Sequence, residues 1–300
     1  MSQASHTAQA MAMFRALESA GPQGVRRFRD PLAVCFLGRS MRTAVAAAKK
    51  SRMVHAMLAR FIDRRWPGAR VSGVARTIFI DNALREALRS DVEQVVILGA
   101  GYDSRAYRID EMKRIAVFEV DRAETQRHKR ERLLRALGSL PRHVEFVEMD
   151  FARDTLSRAL TSAGFAPERK TFFIWEGVTH YLELQAVDAT MRFVGGCAAG
   201  STLAFTYVHR GLLDGSAAFT ISPNVVRYLD DAGERWKSGF YPGELREYLR
   251  ARALRLIEDL GAIEYGARCM GAESEQMRGY EFYHIALARV GLAGGANCQK

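Results

Sequence analysis

The chain has 300 residues, of which 48% are hydrophobic, and this is enough for one large α/β domain rather than a string of small modules. Its formal net charge of +10 suits acidic small molecules or nucleic acid and does not choose between them. The four cysteines are scattered, with no CxxC pair and no His/Cys ligand spacing, which argues against zinc and predicts reduced thiols. Because no basic residue precedes an apolar run at the N-terminus, and no apolar run is long enough to span a bilayer, the sequence predicts a cytoplasmic protein that is neither exported nor inserted in a membrane.

Residues 1–75 have a helical pattern and form the first predicted unit. Apolar residues recur at helical spacing around Ala10–Phe14 and Met53–Leu58, and the pattern is interrupted at Gly21-Pro22 and Asp30-Pro31. We interpret this unit as an accessory or lid region. Residues 76–300 form the second unit.

The second unit alternates helical segments with short apolar runs, which is typical of a parallel sheet built from βα units. The predicted strands are 94–98, 115–120, 144–147, 171–175 and 202–208, with helices at about 78–90, 103–109, 122–137, 153–163 and 184–196. A helix at 243–252 and strands at 253–258 and 281–290 follow. The pattern predicts a Rossmann-like α/β fold with a seven-stranded, mostly parallel sheet, helices on both faces and an antiparallel edge hairpin. A cap insertion at about 209–252 is expected over the carboxyl ends of the strands, where open α/β sheets bind ligands.

A glycine-rich turn follows the first predicted strand. In Gly99-Ala100-Gly101 the glycines allow a sharp turn and a close approach to a ligand, although Ser104 replaces the third glycine of a dinucleotide site. The next strand ends at Asp121, about 20 residues on, where an acid can hold ribose hydroxyls. A tight turn without ligand is the alternative interpretation. Asp103 and Glu119 flank these positions and join the candidate cofactor residues.

Acidic residues also end the third and fourth predicted strands. Asp150 can accept a hydrogen bond from an exocyclic amine while Phe151 lies against a purine ring; alternatively, Asp150 is an N-cap for the next helix. Glu176 ends an apolar strand and requires a partner, either a cofactor ammonium group or an arginine that anchors a loop.

These segments resemble the leucine carboxyl methyltransferase-like family, in particular its bacterial branch that includes polyketide O-methyltransferases. The resemblance covers most of residues 5–208 and is carried by Arg76–Asp81, Val96–Arg108, Phe118–Asp121 and Trp175–Leu182. It implies a class I methyltransferase that uses S-adenosyl-L-methionine and releases S-adenosyl-L-homocysteine, without a metal. It also implies that Arg76 holds the methionine carboxylate, that Gly99 and Gly101 contact the cofactor backbone, that Asp121 binds the ribose, that Asp150 and Phe151 frame the adenine, and that Glu176 lies beside the methionine end. Thr179-His180 departs from the apolar residues more usual in the family.

The acceptor is predicted to be a small acidic or phenolic molecule, such as a polyketide-like or other secondary metabolite. The oligomeric state of the protein is not predicted. A carboxylate acceptor needs no general base, whereas a hydroxyl would be helped by His180, His209 or Glu176. Cap and strand residues that can line its pocket, or simply pack, are His180, Tyr181, Tyr207, His209, Phe219, Tyr228, Trp236 and Tyr241. Nucleic acid is not expected, because the basic run at 122–135 has Glu/Arg pairs typical of a solvated helix.

Three other functions stay open at this level. Protein C-terminal carboxyl methylation is the alternative within the family. An NAD-dependent oxidoreductase would share the glycine turn and Asp121 but would be expected to have the third glycine. A non-catalytic cofactor-binding protein would keep the sheet without turnover.

Overall fold

A seven-stranded sheet with strand order β3-β2-β1-β4-β5-β7-β6 organises the protein. The computed structural model describes residues 6–24, 26–219, 235–277 and 279–291. The strands are β1 Gln94–Leu98, β2 Ala116–Asp121, β3 Val144–Glu148, β4 Thr171–Trp175, β5 Thr202–Val208, β6 Leu254–Gly261 and β7 Tyr283–Val290. Strands β1 to β5 are parallel, and β7 is antiparallel to both β5 and β6. The predicted Rossmann-like, mostly parallel fold is confirmed.

Helices cover both faces of the sheet. They are α1 His6–Ala20, α2 Arg39–Lys50, α3 Arg52–Arg65, α4 Ala69–Leu88, α5 Arg105–Arg108, α6 Ala123–Leu137, α7 Leu156–Ser162, α8 Leu184–Gly195, α9 Gly211–Asp214, α10 Pro242–Arg250 and α11 Ala262–Met270. Short 3-10 helices span Ala33–Phe36, Asp110–Arg114, Thr179–Tyr181 and Gly271–Met277.

Alternate residues of the central strand enter two separate cores. Val95 and Ile97 pack in the core that contains α1 and α4, whereas Val96 and Leu98 pack in the core that contains α8 and α10. All five residues of β1 are buried, since both faces are covered. This is why the parallel strands appear in the sequence as continuous apolar runs rather than as alternating patterns.

Helix α4 crosses the boundary predicted at residue 75. It begins at Ala69, nine residues before the predicted start, and most of its residues are buried. Gly73 does not interrupt it, because α1 packs against this point: a Cβ at Gly73 would lie 3.0 Å from the sulfur of Met11 and 3.2 Å from the ring of Phe14. The division of the chain into a lid and a catalytic domain stays a prediction.

The last two strands pair as predicted, but their connection is longer than a hairpin turn. Between β6 and β7 lies α11, which the sequence analysis did not predict. Its start has a local signal, since the backbone N–H of Gly261 donates to Glu264 Oε2 at 2.8 Å and caps the helix. The acid three residues after the glycine marked this helix start.

The described parts of the predicted cap are residues 209–219 and 235–252. The backbone N–H of Lys237 donates to the carbonyl of His180 at 2.7 Å, and Ser238 Oγ donates to the carbonyl of Thr179 at 2.9 Å. The strand-like bridge between His209 and Phe240 closes the base of the segment. Tyr228 lies outside the described residues. Within the described ranges, no helix has the length and apolar character of a membrane span.

Candidate active site

A cavity of about 470 Å³ opens at the carboxyl ends of β1, β2 and β4 and is walled on its other side by α1 and by residues 235–237. Its lining brings together twelve of the residues selected from the sequence. These are Arg76, Gly99, Ala100, Gly101, Asp103, Asp121, Asp150, Phe151, Glu176, His180, Tyr181 and Trp236. Its volume is in the range of small-molecule and cofactor sites.

The glycine turn requires glycine at both positions for different reasons. Gly99 has φ +67°, and a Cβ there would overlap the Cγ2 methyl of Val178, a residue of the loop after β4. Gly101 has φ +42°, and a Cβ there would touch Ala8 of α1 at 3.4 Å. Gly99 therefore has no room for a side chain, whereas Gly101 is favoured by its positive φ, and both residues line the cavity.

Asp121 is fixed at the tip of β2 by the backbone. Its Oδ2 accepts from the N–H of Gly101 at 2.6 Å and its Oδ1 from the N–H of Arg122 at 2.7 Å. Burial raises the pKa of this carboxyl, and the two N–H donors and Lys129 oppose that rise. Each carboxylate oxygen keeps a lone pair that can accept from a ligand hydroxyl.

Glu176 lies between two arginines at the inner end of the cavity. Its Oε1 is 3.4 Å from Arg76 Nε, and its Oε2 accepts from Arg105 Nη2 at 3.0 Å. Arg105 also donates to Asp81 Oδ1 at 2.8 Å, and the guanidinium of Arg76 stacks 4.2 Å above the ring of Tyr283. Burial opposes the charge on Arg76, but Tyr283 and Glu176 raise its pKa, so the guanidinium stays charged. The arginine partner suggested for Glu176 is therefore present, while its side chain still lines the cavity.

Asp103 belongs to the same network of charges. It pairs with Arg105 through both the backbone N–H and the guanidinium. Burial alone would raise its pKa, but Arg105, Lys129 and Arg15 lower it to about 2. Asp103 is consequently ionised at any pH at which the protein is expected to work.

Asp150 and Phe151 lie beside the tip of β3. The next helix, α7, begins at Leu156 with Thr155 as its N-cap residue, so Asp150 does not cap it. Its Oδ1 instead accepts from the N–H of Ala152 at 2.9 Å and closes a turn. The ring of Phe151 stacks on Trp175 with centroids 6.3 Å apart, which leaves its other face towards the cavity that it lines.

His180 is buried in the wall of the cavity among aromatic rings. The ring centroids of Tyr283 and Trp236 lie 5.4 and 5.7 Å from its own. Burial, reinforced by the charge of Arg76, lowers its pKa to about 3. Its Nδ1 has no hydrogen-bond partner among the described residues. The ring is therefore a neutral hydrogen-bonding group and a weak base.

Glu119 does not reach the cavity. Its carboxylate is fully buried beneath β2, 2.7 Å from Lys129 Nζ. Burial raises its pKa to about 7 against the opposing effect of Lys129. The strand alternation explains this position, because Glu119 and Asp121 flank Val120 on the same face but only Asp121 lies at the strand tip.

Four of the predicted pocket residues lie away from the cavity lining. The hydroxyl of Tyr207 donates to Asp259 Oδ2 at 2.7 Å inside the core. His209 packs against Phe219 and Tyr241, with ring centroids 5.1 and 5.6 Å away. These residues form a separate aromatic cluster near β7. For them the sequence analysis offered packing as the alternative to lining the pocket.

Several lining residues were not among the candidates. Met11, Phe14 and Arg15 come from α1, and Tyr280 and Tyr283 come from the approach to β7. The apolar spacing around Ala10–Phe14 indicated a helix with one buried face but not what that face covers. Arg105, two residues after Asp103, carried no signal beyond the family resemblance. Among the described residues, no group of three metal-ligating side chains lies close enough to hold a metal ion.

Comparison with known proteins identifies relatives of this chain. A profile described as leucine carboxyl methyltransferase matches residues 8–195. A protein of Frankia alni that carries the name of an S-adenosyl-L-methionine-dependent methyltransferase is 38% identical over 216 residues, which are 69% of this chain and 70% of that protein. A Bacillus subtilis protein named in the same way is 28% identical over 70% of each chain.

Two solved structures are similar in fold. A DUF574 family protein from Streptomyces avermitilis aligns with a TM-score of 0.56 at 16% identity, covering 95% of this chain and 97% of that one. A protein of Thermobifida fusca that carries the name of a methyltransferase aligns with a TM-score of 0.54 at 17% identity, covering 92% and 97%. At these identities the likeness concerns the fold.

Proposed function

The chain belongs to the leucine carboxyl methyltransferase family, and we propose that it transfers a methyl group to a carboxylate or hydroxyl oxygen of a small acidic or phenolic molecule. It is an S-adenosyl-L-methionine-dependent methyltransferase. The observation that carries the proposal is the single cavity in which the glycine turn, Asp121 and Glu176 face an aromatic wall.

The cavity residues fit the cofactor. The turn leaves no space for a side chain at Gly99 and has a positive φ at Gly101, and a backbone without side chains can approach a nucleoside closely. Asp121 would accept from the ribose hydroxyls, Asp150 and Phe151 would hold the adenine, and Arg76 would pair with the methionine carboxylate. The bound cofactor supplies an electrophilic methyl group on a sulfonium.

The protein's own groups position the acceptor. Tyr181, Trp236 and Tyr283 form the aromatic wall. Arg235 lies at its edge beside Lys237, whose Nζ is 3.1 Å from Glu183 Oε1. The wall favours a flat or partly apolar molecule, and the basic residues at its edge favour one that carries a negative charge. Holding that molecule in line with the methyl group and excluding water can supply most of the rate acceleration.

The state of His180 favours a carboxylate among the acceptors. With a pKa of about 3, its imidazole is a poor base for a hydroxyl of ordinary pKa. A carboxylate is already ionised at neutral pH and needs no base. His180 would then donate one hydrogen bond to the acceptor carboxylate from the unpartnered Nδ1, in the tautomer that carries its proton there.

Cofactor binding is the first test. Calorimetric titration with S-adenosylmethionine, S-adenosylhomocysteine and NAD should show saturable binding of the two sulfur nucleosides only. Asp121→Ala should weaken that binding by about 10- to 100-fold, since it removes hydrogen bonds to a charged group worth roughly 1.5–3 kcal/mol. The matched control is Asp110→Ala, which removes an exposed aspartate that pairs only with Lys113. Preference for NAD, or equal loss in both variants, would contradict the proposal.

Turnover is the second test. The protein is incubated with methyl-labelled cofactor and a panel of aliphatic and aromatic carboxylates, phenols, alcohols and a leucine-ended peptide. Mild alkali releases labelled methanol from a methyl ester and leaves a methyl ether intact, so the two acceptor classes separate. Labelling of a small carboxylate or phenol supports the proposal. Labelling of the peptide alone would assign protein carboxyl methylation instead.

A further inference from the structure

Helix α3 exposes a row of large apolar side chains. Met53, Met57 and Phe61 are 70, 61 and 64% exposed, and their spacing of four residues aligns them along one side of the helix. None of the three lines the active-site cavity. Single exposed apolar residues are ordinary on a protein surface, but three in a row on one helix mark a contact surface.

Two arginines share that side of α3. Arg60 and Arg64 are exposed; in the helical projection Arg64 falls between Met53 and Met57 and Arg60 falls beside Met53. Ile62 points the opposite way into the core. Neither arginine forms an ion pair with any carboxylate in the described ranges. Met53, Met57, Arg60, Phe61 and Arg64 are called the basic–apolar face below.

Positive charge is concentrated in the chain segment that contains this face. Residues 39–65 carry eight Lys or Arg and one acid, Asp63, although the net charge of the whole chain is only +10. Asp63 is already paired with the buried Arg70 at 2.8 Å. The remaining cations of the segment on α2 and at the start of α3 are exposed: Arg39, Arg42, Lys49, Lys50 and Arg52.

We propose that the basic–apolar face seats the protein on an anionic lipid bilayer, with α3 lying in the plane of the interface. Thioether and phenyl side chains would enter the acyl boundary while the neighbouring cations contact lipid phosphates, as in amphipathic helices that lie on membranes. This mode of contact needs no spanning helix. It goes beyond methyl transfer and does not depend on it.

Other occupants fit the face less well. A second copy would bring two positively charged patches together, because a two-fold interface places each patch on itself. Nucleic acid would satisfy the cations but leave the two methionines and Phe61 without a matching surface. A protein partner would need a groove to receive the protruding row, whereas lipid adapts to a convex helix.

The position of the face gives the contact a consequence. Helix α3 leads directly into Trp66 and Ala69, which line the active-site cavity. Helix α1, which supplies Met11 and Phe14 to that cavity, packs against α2 and α3. Docking through α3 would therefore hold the helical wall of the active site close to the lipid surface.

Vesicle co-sedimentation of the full chain tests the proposal. The probes are vesicles of phosphatidylcholine with and without 30 mol% phosphatidylglycerol, a mixture of about physiological charge. Binding should require the anionic lipid and weaken as salt rises. Met53→Ser/Met57→Ser/Phe61→Ser and, separately, Arg60→Gln/Arg64→Gln should each lower the partition coefficient by at least about tenfold, given roughly 1 kcal/mol per basic residue near the surface.

The control variant carries the same type of change elsewhere. Leu134→Ser/Leu184→Ser/Ile263→Ser replaces exposed apolar residues outside the face and should bind vesicles like the parent. Far-ultraviolet circular dichroism and urea unfolding establish that every variant is folded. If the control variant lost as much vesicle binding, exposed apolar residues anywhere on the protein would support binding, and the assignment to this face would be overturned.

Four other outcomes would also overturn it. The first two are absence of binding to anionic vesicles at low salt and unchanged vesicle binding by the triple serine variant of the face. The other two are a concentration-dependent dimer that this variant abolishes, and binding to duplex DNA that is as strong as vesicle binding and is unaffected by the serine changes. In the same order, these outcomes would assign the surface to no ligand, to simple charge attraction, to a second copy and to nucleic acid.

Discussion

Replacing Gly99 with alanine should damage the cofactor turn through one identifiable contact. The added Cβ would overlap the Cγ2 methyl of Val178 and lie 3.3 Å from its Cγ1, in a backbone with φ +67°. The left-handed conformation costs an L-residue about 1–2 kcal/mol, and overpacking adds roughly 1–3 kcal/mol. We expect Gly99→Ala to destabilise the protein by about 2–5 kcal/mol and to weaken cofactor binding.

A second substitution separates these two costs. In Gly99→Ala/Val178→Ala both methyl groups of the valine are gone, and the nearest remaining atom, Cβ of residue 178, is 3.4 Å away. The steric part of the penalty should then disappear, giving a favourable coupling of at least about 1 kcal/mol in the double-mutant cycle. Gly138→Ala reports the backbone cost alone, because Gly138 has φ +80° and nothing within 4 Å of its added Cβ.

Urea unfolding followed by circular dichroism gives the four stabilities of the cycle, and calorimetry with S-adenosylhomocysteine gives the affinities. The steric argument fails if the two single changes are additive within about 0.5 kcal/mol. It also fails if Gly99→Ala is no more costly than Gly138→Ala. A stable Gly99→Ala variant with normal affinity for S-adenosylhomocysteine would contradict a close approach of the turn backbone to the cofactor.

Two further predictions concern charge states in the same cavity. Because the folded pKa of Asp103 is lowered to about 2 from 3.8, its contribution to stability is present above about pH 4 and lost as the pH falls towards 2. Asp103→Asn should therefore lower the free energy of unfolding by about 2 kcal/mol at pH 7. In urea unfolding, the difference in stability between this variant and the parent should narrow as the pH falls; a constant difference would refute the ion-pair account. The folded pKa of His180 is lowered from 6.5 to about 3, so its imidazole should stay neutral at pH 5 in nitrogen-15 NMR spectra, with stability that declines as the pH falls below 6.5. A protonated ring at pH 5 would show that the aromatic wall admits water.

The central strands could be predicted from the sequence because a strand that is buried on both faces consists of consecutive apolar residues. The runs at 94–98, 171–175 and 202–208 coincide with β1, β4 and β5 residue for residue. Where the chain is less apolar the limits shift: β6 extends to Gly261, past the predicted end at 258. Its residues beyond Leu256 include Glu258 and Asp259, which break the apolar pattern although the backbone still pairs with β7.

The acids at the strand tips could be predicted because the carboxyl ends of parallel strands always lie at the same edge of a sheet. The opposite wall of the cavity could not. Met11 and Phe14 join Gly101 in the cavity lining only after folding, and nothing local relates residues so far apart. Strand alternation, by contrast, held information about Tyr207. It shares a face with Leu203 and Phe205, which lie in the core away from the cavity.

Glu176 shows how the partners of a site residue change its role. Taken alone, a buried carboxylate at a strand tip calls for a cationic ligand, but here Arg76 and Arg105 already neutralise it from positions 100 and 71 residues away. Arg105 is held in turn by Asp81, itself bound by Arg108 at 2.6 Å, so the carboxylate is fixed before any ligand arrives. A group held in place by its neighbours pays no reorganisation cost when a ligand binds, which is the property of a preorganised site. It follows that a change at Arg105 should act on the ligand through Glu176 and on the fold through Asp81, and the two effects cannot be separated by altering Arg105 alone.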